Sequence, residues 1–184
     1  MVRQQVLSFK LESNKPISKS ASLGVTLLGD DLYAHQPFCE KATAAGFRFL
    51  FTCKPSSHPT TSEWVDDFVR AGRIGTHSVL LEKSQGKPKG KRIPKVIRER
   101  WSFRFMADLP LRDADDALLA NWFELTVTDE ATGKILYHNS WITDHPVTEK
   151  SLVTLAKAGR ARWKIENARR AKLVRNCSIQ QHVA

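Results

Sequence analysis

From Leu23 to Gly29 the chain reads Leu-Gly-Val-Thr-Leu-Leu-Gly, a short and almost wholly apolar run that ends in Asp30-Asp31. A buried central strand looks like this, because neither face has to meet water. Such a strand delivers its carboxylates at its C-terminal end. The period then changes. Phe38, Ala42 and Ala45 fall at helical spacing within Gln36–Ala45, and Gly46 is a stop. Phe47–Cys53 predicts a second strand, rich in aromatics, ending at Lys54-Pro55. Strand, helix and strand together predict a parallel pair joined by a right-handed crossover. Trp64, Val65 and Phe68 predict another helix over Ser62–Ala71, stopping at Gly72.

Beyond that point alternation takes over. His77–Glu82 and Val96–Met106 alternate in part, and between them lies Lys83-Ser-Gln-Gly-Lys-Pro-Lys-Gly-Lys-Arg92, a basic loop with glycine and proline breakers. In Trp122–Thr128, Trp122, Glu124 and Thr126 oppose Phe123, Leu125 and Val127. A turn at Asp129–Gly133 leads to a hairpin partner over Lys134–Ile142. After Pro146, Thr148 is placed to cap a helix with Glu149 in its first turn, running through Leu152 and Leu155 to at least Asn167. Gly159 inside it costs about 1 kcal/mol against alanine and is a candidate kink.

The expected fold is α/β: a core interrupted by a β-rich antiparallel insertion and closed by a helix. The boundaries are a loose lead-in over 1–22, a core segment over 23–73, the β-rich part over 74–143, the helix over 144–167 and a tail over 168–184. No internal repeat is visible.

Charge adds a partner class. The chain of 184 residues carries 29 Lys and Arg against 19 Asp and Glu, a net charge of +10, with a pI near 9.8. Lysine and arginine displace counterions condensed on phosphate, so this balance favours polyanions. No run is long enough for a membrane span. The three cysteines are scattered, with no CxxC pair and no HExxH, so neither a disulfide framework nor a zinc site is expected, and a reducing cytoplasm fits.

Asp30, Asp31 and Glu166 are the candidate catalytic carboxylates. Two-metal phosphoryl transfer needs carboxylates converging from distant parts of the chain, because hard Mg²⁺ prefers oxygen ligands. The plainer reading stays open. Asp30-Asp31 can cap the element that follows, and Glu166 can pair with Arg162 at i,i+4 for roughly 0.3–0.5 kcal/mol.

Three stretches carry a resemblance: Leu28-Gly-Asp-Asp-Leu-Tyr33, Phe51-Thr-Cys-Lys-Pro-Ser-Ser-His-Pro59 and Arg160-Ala-Arg-Trp-Lys-Ile-Glu-Asn167. Together they resemble the bacterial DDE insertion-sequence transposases of the type-four group, whose catalytic domain is RNase H-like. The resemblance runs from about Leu23 to Asn167. It implies that Asp30 is the second catalytic Asp, with Asp31 as the alternative choice and a further metal ligand, and that Glu166 is the catalytic Glu. The two lie 136 residues apart, which suits the β-rich insertion of that family. It also implies Mg²⁺ or Mn²⁺ as cofactor and insertion-sequence DNA ends as substrate, with a homodimer on DNA left open. The family's signature is Tyr, two residues, Arg, three residues, Glu, six residues, Lys. Arg162 and Glu166 fit it, whereas Gly159 and Leu173 occupy the outer positions. None of the 29 residues before Asp30 is Asp, so the first catalytic carboxylate has no counterpart. The expectation is a truncated or frameshifted member with little or no strand cleavage of its own.

For DNA contacts, the candidates are Lys87, Lys89, Lys91 and Arg92 in the basic loop, Arg160, Arg162 and Lys164 beside Glu166, and Trp101. Arg162 shares the helical face of Glu166 and can clamp a phosphate. Trp101 and Trp122 can stack on an unpaired base, yet large aromatics usually fill small β layers. Rival readings are a non-catalytic DNA-binding protein derived from a transposase, an unrelated small nuclease built on Asp30-Asp31, and a chain that never accumulates folded.

Overall fold

The computed structural model describes residues 24–85 and 95–161. They form a mixed α/β unit on one six-stranded sheet in the order β1-β2-β6-β5-β4-β3. The strands are β1 (Thr26–Gly29), β2 (Arg48–Thr52), β3 (Gly75–Gln85), β4 (Lys95–Pro110), β5 (Leu119–Asp129) and β6 (Ile135–Thr143). The helices are α1 (Gln36–Ala44), α2 (Pro59–Arg70) and α3 (residues 149–161). β1 and β2 are parallel, joined through α1. Every other pairing is antiparallel.

The predicted elements sit where the periodicity puts them, with shifted ends. The first strand is limited to Thr26–Gly29 and is not a buried central strand: it stands at the edge of the sheet among the described residues and is mostly half-buried, since only β2 flanks it there. The second helix starts at Pro59, three residues early, because proline suits the first helical turn, where no intrahelical N–H partner is lost. The strands within 74–143 do not form a layer apart from the parallel pair. β6 pairs with β2, Leu50 opposite Thr143 and Thr52 opposite Trp141, so all six belong to one sheet. Thr148 does cap α3, its Oγ1 accepting the Ser151 N–H at 3.3 Å. The expected continuation of α3 to Asn167 lies outside the described residues.

Alternation gives the sheet two different faces. On one, α1 and α2 cover Phe49, Phe51, Met106, Trp122 and Ile142. On the other, α3 brings Leu152, Leu155 and Ala156 onto Leu50, Trp101, Phe103, Phe123, Leu125 and Trp141. α1 and α2 do not reach the whole of their face. Outside them a polar ladder stands open, with Arg98 on Glu82 at 3.1 Å, Arg100 on Glu130, and Arg104 Nε on Glu124 at 2.6 Å. Glu124 also takes His138 Nε2 at 2.7 Å.

Gly159 is not a break in α3. A Cβ built there would lie 2.6 Å from Trp141 Nε1 and 2.8 Å from Cε2. The glycine is what lets the helix backbone rest on the indole. Among the described residues no helix is long and apolar enough to cross a membrane.

Candidate functional site

The C-terminal ends of β1 and β2 carry the best-placed titratable groups. Gly29 fixes the exit from β1. A Cβ there would meet the Phe51 ring at 2.5 Å and Tyr33 Cβ at 3.1 Å. Glycine therefore lets the chain turn tightly over the core and present Asp30 and Asp31 side by side. Asp30 is the N-cap of a 3-10 turn, Asp31–Tyr33, its Oδ1 accepting the Leu32 N–H at 3.2 Å. Asp31 reaches across to the end of β2, where its Oδ1 accepts the Lys54 N–H at 2.9 Å. Its carbonyl oxygen lies 3.1 Å from His58 Nε2. A carbonyl can only accept, so His58 carries its proton on Nε2. The same nitrogen is 3.7 Å from the Asp31 carboxylate. The His35 ring packs on His58 at a centroid distance of 4.6 Å. These two histidines are the N-cap residues of α1 and α2, and neither makes a side-chain capping bond.

The capping role anticipated for Asp30-Asp31 is therefore present: both carboxylates accept backbone N–H groups that tie the turn and the parallel strand ends together. Among the described residues no group of three or more His, Cys, Asp or Glu side chains could hold a metal ion. Asp30 and Asp31 alone do not fit a two-ion site, which needs carboxylates converging from distant parts of the chain. Glu166, Arg162 and Lys164 lie outside the described residues, as do Lys87, Lys89, Lys91 and Arg92.

The neighbouring thiols are chemically quiet. Burial pushes Cys53 up to about 12, with the Asp31 charge and Cys39 adding to it. Burial, then Asp144, does the same for Cys39, also to about 12. The thiolate is the nucleophilic form, so neither cysteine attacks a substrate near neutral pH.

Two histidines, one at each end of β1, make the fold acid-sensitive. Burial lowers the pKa of His58, opposed by the hydrogen bond to the Asp31 carbonyl. Burial also lowers that of His145, opposed by Asp144; His145 Nε2 sits 2.9 Å from Thr26 Oγ1 on β1. Each is lowered in the folded state, so the unfolded chain binds the proton more readily, and stability rises with pH in that window. Stability is therefore full above the ordinary histidine value of about 6.5 and falls as pH drops through it towards the folded-state values. The urea midpoint is expected to fall between about pH 7.5 and about pH 5.5, and His58→Asn is expected to flatten that slope. A midpoint constant over this range would contradict it.

The remaining sequence candidates are relocated by their neighbours. Trp101 is buried, 5% exposed, with its indole N–H donated to Glu99 at 3.1 Å; its ring is core and offers no open face to a base. Arg160 lies over the same ring at 5.0 Å and over Tyr137 at 4.4 Å, so its guanidinium is held against the sheet. Arg98 and Arg100, on the strand that follows the basic loop, are each neutralised by a glutamate. The coupling of Asp31, Lys54, His58 and His35 had no signal in spacing, since it depends on the parallel pairing of two strands.

No protein-family model matches the chain, and no curated protein matches it.

Proposed function

We propose that this chain is a DNA-binding piece of a DDE-type transposase catalytic region, incomplete for strand cleavage by itself. One observation supports the reading above the others. α3 rests at Gly159 on Trp141, and Trp141 pairs with Thr52, one position beyond the Gly29–Phe51 pair of the parallel strands. The last turn of α3 and the Asp30 end of β1 therefore share one end of the sheet, two strand spacings or roughly 10 Å apart across it. The stretch Arg162–Asn167, which carries the motif resemblance, follows that turn directly in sequence. An RNase H-like arrangement of carboxylates needs this convergence of an early strand end with a late helix.

In the proposed reading Asp30 and Glu166 descend from metal ligands, Asp31 holds the turn, and the cationic surface carries DNA affinity. Mg²⁺ or Mn²⁺, when bound in an intact relative, would activate the attacking oxygen and stabilise the leaving one. Here the carboxylates among the described residues are too few to hold a metal ion. Supercoiled plasmid incubated with the protein and Mg²⁺ or Mn²⁺ is expected to stay as intact as with Asp30→Ala. Metal-dependent nicking by the unmodified chain, abolished in Asp30→Ala, would show an active nuclease and overturn the incompleteness.

A further inference from the structure

We propose that the outer face of α3 is a seat for the phosphates of a nucleic-acid backbone; the proposal rests on the DNA-binding reading and names its docking surface. At about 100° per residue, Lys150, Thr154 and Lys157 fall within about 60° of arc. All three are exposed. Ala161, next along the same arc, adds no bulk that would hold a strand away. Leu152, Leu155, Ala156 and Gly159 lie on the opposite side, against the sheet.

The partners of the other cations single this face out. On the sheet, Lys83, Arg98, Arg100 and Arg104 each face a glutamate. Arg48, Arg70 and Arg112 each face an aspartate. Arg160 is spent on Trp101 and Tyr137, and Arg73 on the Phe68 ring. Lys150 and Lys157, by contrast, make no ion pair among the described residues, and the one acidic side chain of α3, Glu149, is turned to His77 at 3.5 Å. Lys41, Lys54 and Lys134 also make no ion pair there, but each stands on a different segment: α1, the end of β2 and the β5–β6 turn. Only α3 sets two such lysines on one face among the described residues. Cations already neutralised by a carboxylate gain little from a phosphate. Unpaired ones release the counterions condensed on it. From Lys150 to Lys157 the face is about 10 Å long at 1.5 Å per residue, on the order of three phosphates of one strand at 3.4 Å of axial rise each. The Thr154 hydroxyl between the lysines is a further donor to phosphate oxygen.

The test is the salt dependence of binding of the full chain to a labelled DNA duplex of mixed sequence. The double variant Lys150→Ala/Lys157→Ala is expected to make the log–log slope shallower by about two and to weaken binding about ten- to a hundredfold at about 0.1 M salt. Lys134→Ala, an exposed lysine in the β5–β6 turn, is the control and should leave the slope unchanged. Circular dichroism should be the same for all, since neither lysine of α3 is packed. If the double variant binds like the wild type, the α3 seat is wrong and DNA binding stands on other residues. If the wild type does not bind duplex at all, the DNA-binding reading falls and the seat with it. If phosphatidylserine vesicles bind more tightly than DNA and lose that binding in the double variant, the face serves a lipid surface and the proposal is overturned.

Discussion

Gly159→Ala is expected to destabilise the fold by about 1–3 kcal/mol, although alanine is the better helix former by about 1 kcal/mol. The two effects have opposite sign, and distance decides between them. A Cβ would stand 2.6 Å from Trp141 Nε1 and 2.8 Å from Cε2, well inside van der Waals contact. The indole cannot retreat cheaply. It is 1% exposed, stacked on Phe123 at 5.1 Å and flanked by Tyr137 at 6.4 Å. Either α3 lifts off the sheet or the indole leaves its rotamer, and both loosen the core that α3 covers. The measurement is the urea midpoint at constant slope. Trp141→Phe should relieve part of the penalty, so the two substitutions should be less than additive. A midpoint raised by Gly159→Ala would mean that the helix does not rest on Trp141.

Trp101→Ala is expected to cost about 3–5 kcal/mol, the usual loss for a truncated buried aromatic. Three things fail together in this variant. The ring leaves a cavity beside Phe103, which packs at 6.3 Å. Glu99, itself 8% exposed, loses the indole N–H and keeps, among the described residues, the Lys83 ammonium at 3.3 Å. Arg160 loses one of its two ring contacts. Were Trp101 a stacking platform for bases, truncation would weaken DNA binding and leave stability almost unchanged. The outcome expected from its burial is the reverse: a large fall in the denaturation midpoint, with the milder Trp101→Phe losing less stability.

The periodicity carried most of the fold because each element buries one face or both. The aromatic strand Arg48–Thr52 and the alternation of β5 and β6 fit a strand better than a helix, whereas the short apolar run before Asp30 owes its reading to its length and the turn residues that bound it. The sheet order was not legible. That β6 returns to pair with β2, bringing the antiparallel strands into the sheet of the parallel pair, depends on contacts far apart in sequence. The reason for Gly159 was equally hidden, since a helical glycine looks the same whether it marks a kink or admits an indole. At the site, the capping alternative for Asp30-Asp31 was readable from residue type, because aspartate before a turn accepts backbone N–H groups. The neutralisation of Arg98, Arg100 and Arg104 was not, because each partner sits on a neighbouring strand or turn, at a register that sequence does not print. Net charge therefore overstated the open sheet face and gave no hint that α3 holds unpaired lysines on one side.

The measurement that bears most directly on the central claim is duplex-DNA binding by the unmodified chain, followed by fluorescence anisotropy across a salt series. Binding through phosphate neutralisation predicts a linear fall of log affinity with log salt, at about 0.9 per phosphate contact. It also predicts little preference among duplexes of different sequence, since phosphates carry no sequence information directly. No binding at low salt, or an affinity that does not change with salt, would contradict the account.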